Sequence, residues 1–212
     1  MSVWQITAFT IATAVGATAL MLPPGLLLAW WLARRRFRGQ TLVETLVSLP
    51  LVLPPVATGL ILLMLLAPRG LIGRVLATFG VEVVFTWKAV VVAMAVMALP
   101  LFVRAARAGI EQVDRRYEAV AATLGARPLR IFFTVTLPLA APAVAAGAVL
   151  GFARAVGEFG ATIMIAGSLP STRTLAVAIY SFAETGRDRE AAALLAVLPR
   201  SASCNSASDS SR

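Results

Sequence analysis

YEAVAATLGARPLRIFFTVTLPL, residues 117–139, is the one long mixed polar and basic segment between apolar blocks that are each long enough to cross a bilayer. Residues 118–124 are alanine-rich and read as a helix. Gly125 ends that helix, because glycine accepts a left-handed backbone at no steric cost. Pro128 fits the first turn of the helix that follows. An apolar run then leads to Leu137 and Pro138, where the next hydrophobic block starts. Two short helices at an angle on a membrane protein's surface make a rigid knob. That shape suits docking into a partner better than it suits chemistry.

Composition agrees with a membrane protein. The 212 residues are 59% hydrophobic with a mean hydropathy of +0.85. Soluble domains run about 45–50% apolar. The first apolar stretch lacks a basic leading region and a small-residue cleavage site, so no cleavable signal peptide is expected. The net charge of +9 comes almost wholly from arginine. In a soluble protein that would point to nucleic acid. Here the arginines sit between apolar blocks, where membrane orientation and anionic lipid headgroups explain them, and no nucleic-acid partner is expected. There is no histidine and a single cysteine, Cys204, which excludes an internal disulfide and a His/Cys metal cluster. No acid pair sits in an enzyme-like setting, and no GxxxxGK[ST] run offers a phosphate cradle. The chain is therefore expected to hold no cofactor and to be no enzyme.

The first span is read over 6–32, interrupted by Pro23-Pro24-Gly25, since a double proline kinks or breaks a helix. It either packs inside a bundle or serves as a lipid-facing anchor. Trp30 and Trp31 suit an interfacial belt. Arg34, Arg35, Arg36 and Arg38 follow as a positive cluster, and the N-terminal MSVWQIT carries no charged side chain. Excess basic charge marks the cytoplasmic side, so the N-terminus is placed outside and this cluster inside. The second span, 42–66, holds LPLVLPPVATG with Pro50, Pro54, Pro55, Thr58 and Gly59. Such backbone irregularity is tolerated where a segment is buried in protein or lines a cavity. Residues 67–86 are read as an external, partly amphipathic loop. The third span, 87–108, carries Lys88 at its outer end and Arg104 and Arg107 at its inner end. Arg115 and Arg116 follow, so the positive-inside rule puts 109–138 in the cytoplasm as well.

The fourth span, 138–166, contains GFARAVGEFGATIMIAG. Arg154 and Glu158 are four apart and so share a helix face. Charged groups within a membrane are costly and face the bundle interior. This pair either positions helices or belongs to a path or gate, with Gly157 and Gly160 allowing close packing. Residues 167–190 are read as an external loop in which Arg173 faces an anion, a binding protein or simply solvent. AAALLAVL at 191–198 starts as a fifth span and gives way to a serine-rich polar tail at 199–212, which reads as disordered and out of keeping with the rest.

Residues 117–139 resemble the coupling loop of ABC-importer permeases. The matching positions are Glu118, Ala119, Ala121, Ala122, Gly125, Phe132, Leu137 and Pro138, with Leu124, Arg127 and Pro128 in the same turn. The family's general pattern puts its glutamate six residues before the glycine, whereas Glu118 is seven before Gly125. LPLVLPPV, GEFGAT and a TRTL element before AIY are similar to the oxyanion branch, which imports molybdate or sulfate. The resemblance implies an all-α polytopic helical bundle, here with four complete spans and an incomplete fifth over 1–198. It implies a permease subunit in the inner membrane, moving molybdate as one of two permease copies. A cytoplasmic ATPase subunit would supply the energy, and a periplasmic or surface oxyanion-binding protein the cargo. The coupling residues would be Glu118, Ala119, Ala122, Leu124, Gly125, Arg127, Pro128, Leu137 and Pro138. Pro54, Pro55, Thr58, Gly59, Arg154, Gly157, Glu158 and Gly160 would line or gate the path. Sulfate, tungstate or thiosulfate remains an alternative cargo, and an ATPase-independent transporter or channel an alternative class. The latter often carries inverted repeats, and none is found.

Overall fold

The computed structural model describes residues 3–35 and 37–186, and every regular element among them is helical. Helix α1 (Val3–Arg34) is followed by α2 (Gln40–Val52), α3 (Pro55–Leu66) and the short α4 (Leu71–Thr78). The central helix α5 (Trp87–Gln112) leads into α6 (Arg115–Thr123). A further run begins as α7 (Pro128–Ile131), passes through a π-helical turn at Phe132–Thr136, and continues as α8 (Leu137–Val156). Two short helices, α9 (Gly160–Ala166) and α10 (Leu175–Glu184), complete the described chain.

Helix α5 is the axis of the bundle, packed between α1 and α8. Its buried face runs Ala89, Val90, Ala93, Met94, Met97, Ala98, Phe102, Ala106 and Ile110. The alanines of this face let helix backbones approach closely, which favours association where no hydrophobic effect operates between helices. Phe102 is fully buried against α1, where a Cβ placed on Gly25 would stand 2.5 Å from its ring. The opposite faces of α1 and α8 stay apolar and open, with Ile11, Val15, Leu20, Leu27, Val149 and Leu150 exposed. That is the pattern of helices solvated by hydrocarbon.

Among the described residues, three runs are long and apolar enough to cross a membrane: Val3–Arg34, Trp87–Gln112 and Pro128–Val156. The segment read as a second span is instead two helices, α2 and α3, bent by 113° across Leu53 and Pro54. Pro54 and Pro55 cannot donate to the preceding turn, and the chain turns there. The count of four complete spans thus holds only if this bent pair is taken as one. The fourth span is also corrected. Its helix starts at Pro128 rather than Pro138, and it stops at Val156, leaving α9 as a separate piece. The double proline in α1 does not break that helix. Proline's fixed φ is already the helical value, so the helix runs on through the pair despite the lost hydrogen bonds and the crowding of the preceding turn. The incomplete fifth span and the polar tail lie outside the described residues.

Candidate functional site

Two clusters gather the residues singled out in the sequence. The first surrounds α6. Asp114 caps its start, its Oδ1 accepting from the Arg116 N–H at 2.9 Å. Its end is a Schellman turn: the Gly125 N–H donates to Ala122 O at 3.0 Å and the Ala126 N–H to Ala121 O at 3.1 Å. Gly125 adopts φ +82°, and a Cβ there would touch nothing. Conformation therefore selects glycine at this position, rather than space. Arg127 is extended and Pro128 opens the next helix, as read from the sequence. None of the residues of α6 is buried. Tyr117, Val120 and Leu124 are exposed, at a spacing that puts them on one helical face. Ala119, Ala122, Arg127 and Pro128 are exposed as well.

Glu118 points the other way. Its Oε1 lies 2.7 Å from Arg34 Nη2, at the end of α1. The same oxygen accepts from Thr136 Oγ1 at 2.5 Å. Arg34 also donates to the carbonyl of Val113, the residue that closes α5, at 3.3 Å. One ion pair therefore draws together the ends of α1, α5 and α6 and the π turn. That turn is closed by the Leu137 N–H donating to Phe132 O, five residues back. Pro138 follows, with no N–H and a ring that presses on the carbonyl four residues earlier, and widening the helix just before it relieves that contact. Phe132 packs on Trp30 of α1, ring centroids 5.2 Å apart. The second half of the expected knob is thus no separate short helix. It is the first turn of the run that continues to Val156.

The same end of the bundle carries a second polar group. Arg107 of α5 pairs with Glu44 of α2 at 2.6 Å and with Glu111 at 2.7 Å. Gln40 also donates to Glu44, and Arg104 to Ser48. A cleft of about 380 Å³ opens between α2 and α5 beside Glu44, Ser48, Arg104 and Arg107.

The second cluster forms where α8 stops. Gly157 closes α8, and Glu158 falls in the gap before α9 with only 1% of its surface exposed. Its Oε2 pairs with Arg154 Nη1 at 2.6 Å, and its Oε1 accepts from the Ala161 N–H at 2.8 Å. The carboxylate thus caps α9 while holding the last turn of α8. Helix α9 packs directly on α3. A Cβ on Gly59 would stand 2.7 Å from the Ala161 Cα, and one on Gly160 would stand 2.7 Å from Pro55. The two backbones meet there with no room for a methyl group. Thr58 and Thr162 are buried in the two packed helices, and their hydroxyls have no hydrogen-bond partner among the described residues.

Residues 25–204 match the family described as binding-protein-dependent transport system inner membrane component. The chain belongs to that family. It is 44% identical over 195 residues to the molybdenum transport system permease protein ModB of Haemophilus influenzae, covering 90% of this chain and 85% of that protein. It is 45% identical over 145 residues to the sulfate transport system permease protein CysT of Salmonella typhimurium, covering 68% of this chain and 52% of that one. The fold is similar to that in a crystal structure of a bacterial ABC transporter involved in the import of the acidic polysaccharide alginate. That match has a TM-score of 0.59 at 17% identity and covers 88% of this chain and 71% of that one. At such identity it speaks for the fold alone.

Within this family member, the LPPVATG and GEFGAT segments, about a hundred residues apart, meet as one seam between α3 and α9. Pro54, Pro55, Thr58, Gly59, Glu158 and Gly160 all lie on or beside it. Gly157 does not pack there: a Cβ would meet only its own helix at 3.7 Å. Arg154 and Glu158 do pair, although they no longer share a helix. Arg173 is half-buried and donates to Ser168 O at 3.3 Å. Sequence reasoning missed Arg34, counted as one charge in an orienting cluster, and Thr136, an ordinary threonine in an apolar run. Only the lone glutamate of α6, one position off the general spacing, hinted at an internal partner.

Proposed function

We propose that this chain is the membrane-spanning subunit of an ATP-driven importer of molybdate, acting as a pair of copies. A cytoplasmic ATPase docks on α6, and an external binding protein delivers the anion. The observation that carries this reading is the stripe of Tyr117, Val120 and Leu124, three exposed apolar side chains on a helix ended by the Gly125 turn. It stands at the bundle end that also bears Arg34, Arg104, Arg107, Arg115 and Arg116. By the positive-inside rule that end faces the cytoplasm and the N-terminus faces outward. The exposed apolar faces of α1 and α8 meet lipid. ATPase closure then biases a two-state equilibrium between inward- and outward-facing forms. The α3–α9 seam, held by Glu158 and Arg154, is the part of the path nearest a gate.

Molybdate is favoured over sulfate because the ModB likeness spans 90% of this chain and the CysT likeness 68%. Both are tetrahedral dianions, so sulfate is the second reading. Purification of the complex with its ATPase and binding protein, followed by uptake of labelled molybdate or sulfate into ATP-loaded vesicles, decides between them. Saturable molybdate uptake that excess sulfate does not block supports the first. Uptake with no ATPase bound would sink both.

A further inference from the structure

The exposed helix α6 has one charged side chain turned toward the bundle. Glu118 sets its carboxylate between Arg34 and Thr136, with the Arg34 side chain 11% and the Glu118 side chain 21% exposed. A glutamate that served the partner directly would point with Tyr117, Val120 and Leu124, out from the surface. Helix α6 buries none of its own residues, so packing alone ties it weakly to the bundle. The charged knot is its firm attachment to helices other than its chain neighbours.

Thr136 behaves unlike six other helical threonines. Thr7, Thr10, Thr13, Thr18, Thr45 and Thr134 each donate the side-chain hydroxyl to the carbonyl four residues back. Thr136 gives its hydroxyl to Glu118 instead, and it is the last residue of the π turn. Isolated π turns within α-helices are rare and recur at functional sites. The alternative for Thr136 is at hand: released from Glu118, it can bond back to the Phe132 carbonyl as its fellows do, within a turn tightened to α.

We propose that Arg34 and Thr136 are positioning residues for coupling, which transmit displacement of α6 to the end of α1 and to the register of the π turn. This rests on the reading of α6 as the ATPase-docking helix. Glu118 is the hub. Arg34 carries its movement to α1 and, through the Val113 carbonyl, to the end of α5. Thr136 carries it into the spanning run that continues to Val156. The energy of a docked partner reaches the bundle through these contacts, and neither Arg34 nor Thr136 touches the partner.

The test uses the full complex of this chain with its ATPase and binding protein, in proteoliposomes with molybdate. Two quantities are read: ATPase retained on purification, and molybdate moved per ATP hydrolysed. Arg34→Gln and Thr136→Val should keep the ATPase at wild-type yield while molybdate moved per ATP falls about tenfold, within the usual range for coupling between sites. Thr136→Ser should restore the wild-type ratio. The swap Arg34→Glu with Glu118→Arg should recover more than either single change. Should Arg34→Gln fail to fold, the near-isosteric Thr136→Val carries the test alone. Wild-type stoichiometry in Thr136→Val overturns the proposal. Loss of the ATPase in step with transport also overturns it, since these residues would then serve docking. A wild-type chain that retains no ATPase brings down the parent reading instead, and that result is seen without any variant.

Discussion

Arg154 and Glu158 form a 2.6 Å ion pair across the gap between α8 and α9, and Glu158 is the buried partner. The carboxylate has a second duty, accepting the Ala161 N–H at the start of α9. Removing only the arginine leaves a buried carboxylate short of its cation. Arg154→Met is therefore expected to destabilise the protein by about 3 kcal/mol, the low end for breaking a buried pair, since Arg154 keeps some exposure. Arg154→Met with Glu158→Gln should cost less than the arginine change alone, because glutamine still offers an oxygen to Ala161. Thermal unfolding in detergent, run as a double-mutant cycle, checks this. A double variant whose loss equals the sum of the two single losses would show that the pair is not coupled.

The seam between α3 and α9 makes a sharper steric prediction. Gly59 and Gly160 leave no room for a Cβ, whereas Gly157 does. Gly59→Ala and Gly160→Ala should each cost about 1–3 kcal/mol, the usual range for overpacking a close contact. Gly157→Ala should be tolerated, as its backbone angles are open to any residue. The readout is the midpoint of unfolding of each variant. A Gly157→Ala variant that unfolds with the other two would place the tight contact elsewhere.

The sequence made the helical class, the turn at Gly125 and the place of Pro128 in the first turn of the next helix legible, because each follows from local chemistry. It also marked the LPPVATG segment as irregular and the glycines of GEFGAT as a place of close packing. It could not show that they meet, since nothing within either string names its partner. The break after Val156 was hidden for a related reason. GEFGATIMIAG is apolar enough to continue a span, and Arg154 and Glu158 keep helical spacing. The decision to stop lies in the Glu158 carboxylate, which caps the next helix and so competes with continuing the present one. Arg34 was obscured by its neighbours: a run of arginines reads as an orienting charge, and the pair with Glu118 joins residues far apart in the chain.

Asp114 sets where α6 begins, its carboxylate accepting from the Arg116 N–H. Helix α6 has no buried face to hold it, so its cap counts for more than in a packed helix. Asp114→Ala is expected to cost about 1 kcal/mol of local helix stability. Hydrogen exchange at the amides of Arg116 and Tyr117 should quicken by about fivefold, the equivalent of that energy. Unchanged protection would show that partners other than the cap hold this turn.

Gly125 separates two causes that a single substitution would confuse. Its φ of +82° strains any residue with a Cβ, while the space around it is empty. Gly125→Ala therefore pays backbone strain alone, about 1–2 kcal/mol. Gly125→Asn should pay less, since asparagine enters the left-handed region more readily than other residues with a side chain. Gly125→Asp adds a charge beside Leu124 and the proposed docking stripe, with a backbone tolerance close to that of asparagine. Binding of the ATPase should thus rank wild type, then Asn, then Ala on conformational grounds. Asp should fall below Asn by whatever the added charge contributes at the interface. All of these variants should insert into the membrane normally, because Gly125 lies outside the spanning helices. Affinity of the detergent-solubilised chain for its purified ATPase gives the ranking. If Ala binds as well as wild type, the left-handed turn is not what the partner reads. If Asp and Asn bind alike, the charge faces away from the interface, and the docking face must be sought on the far side of α6.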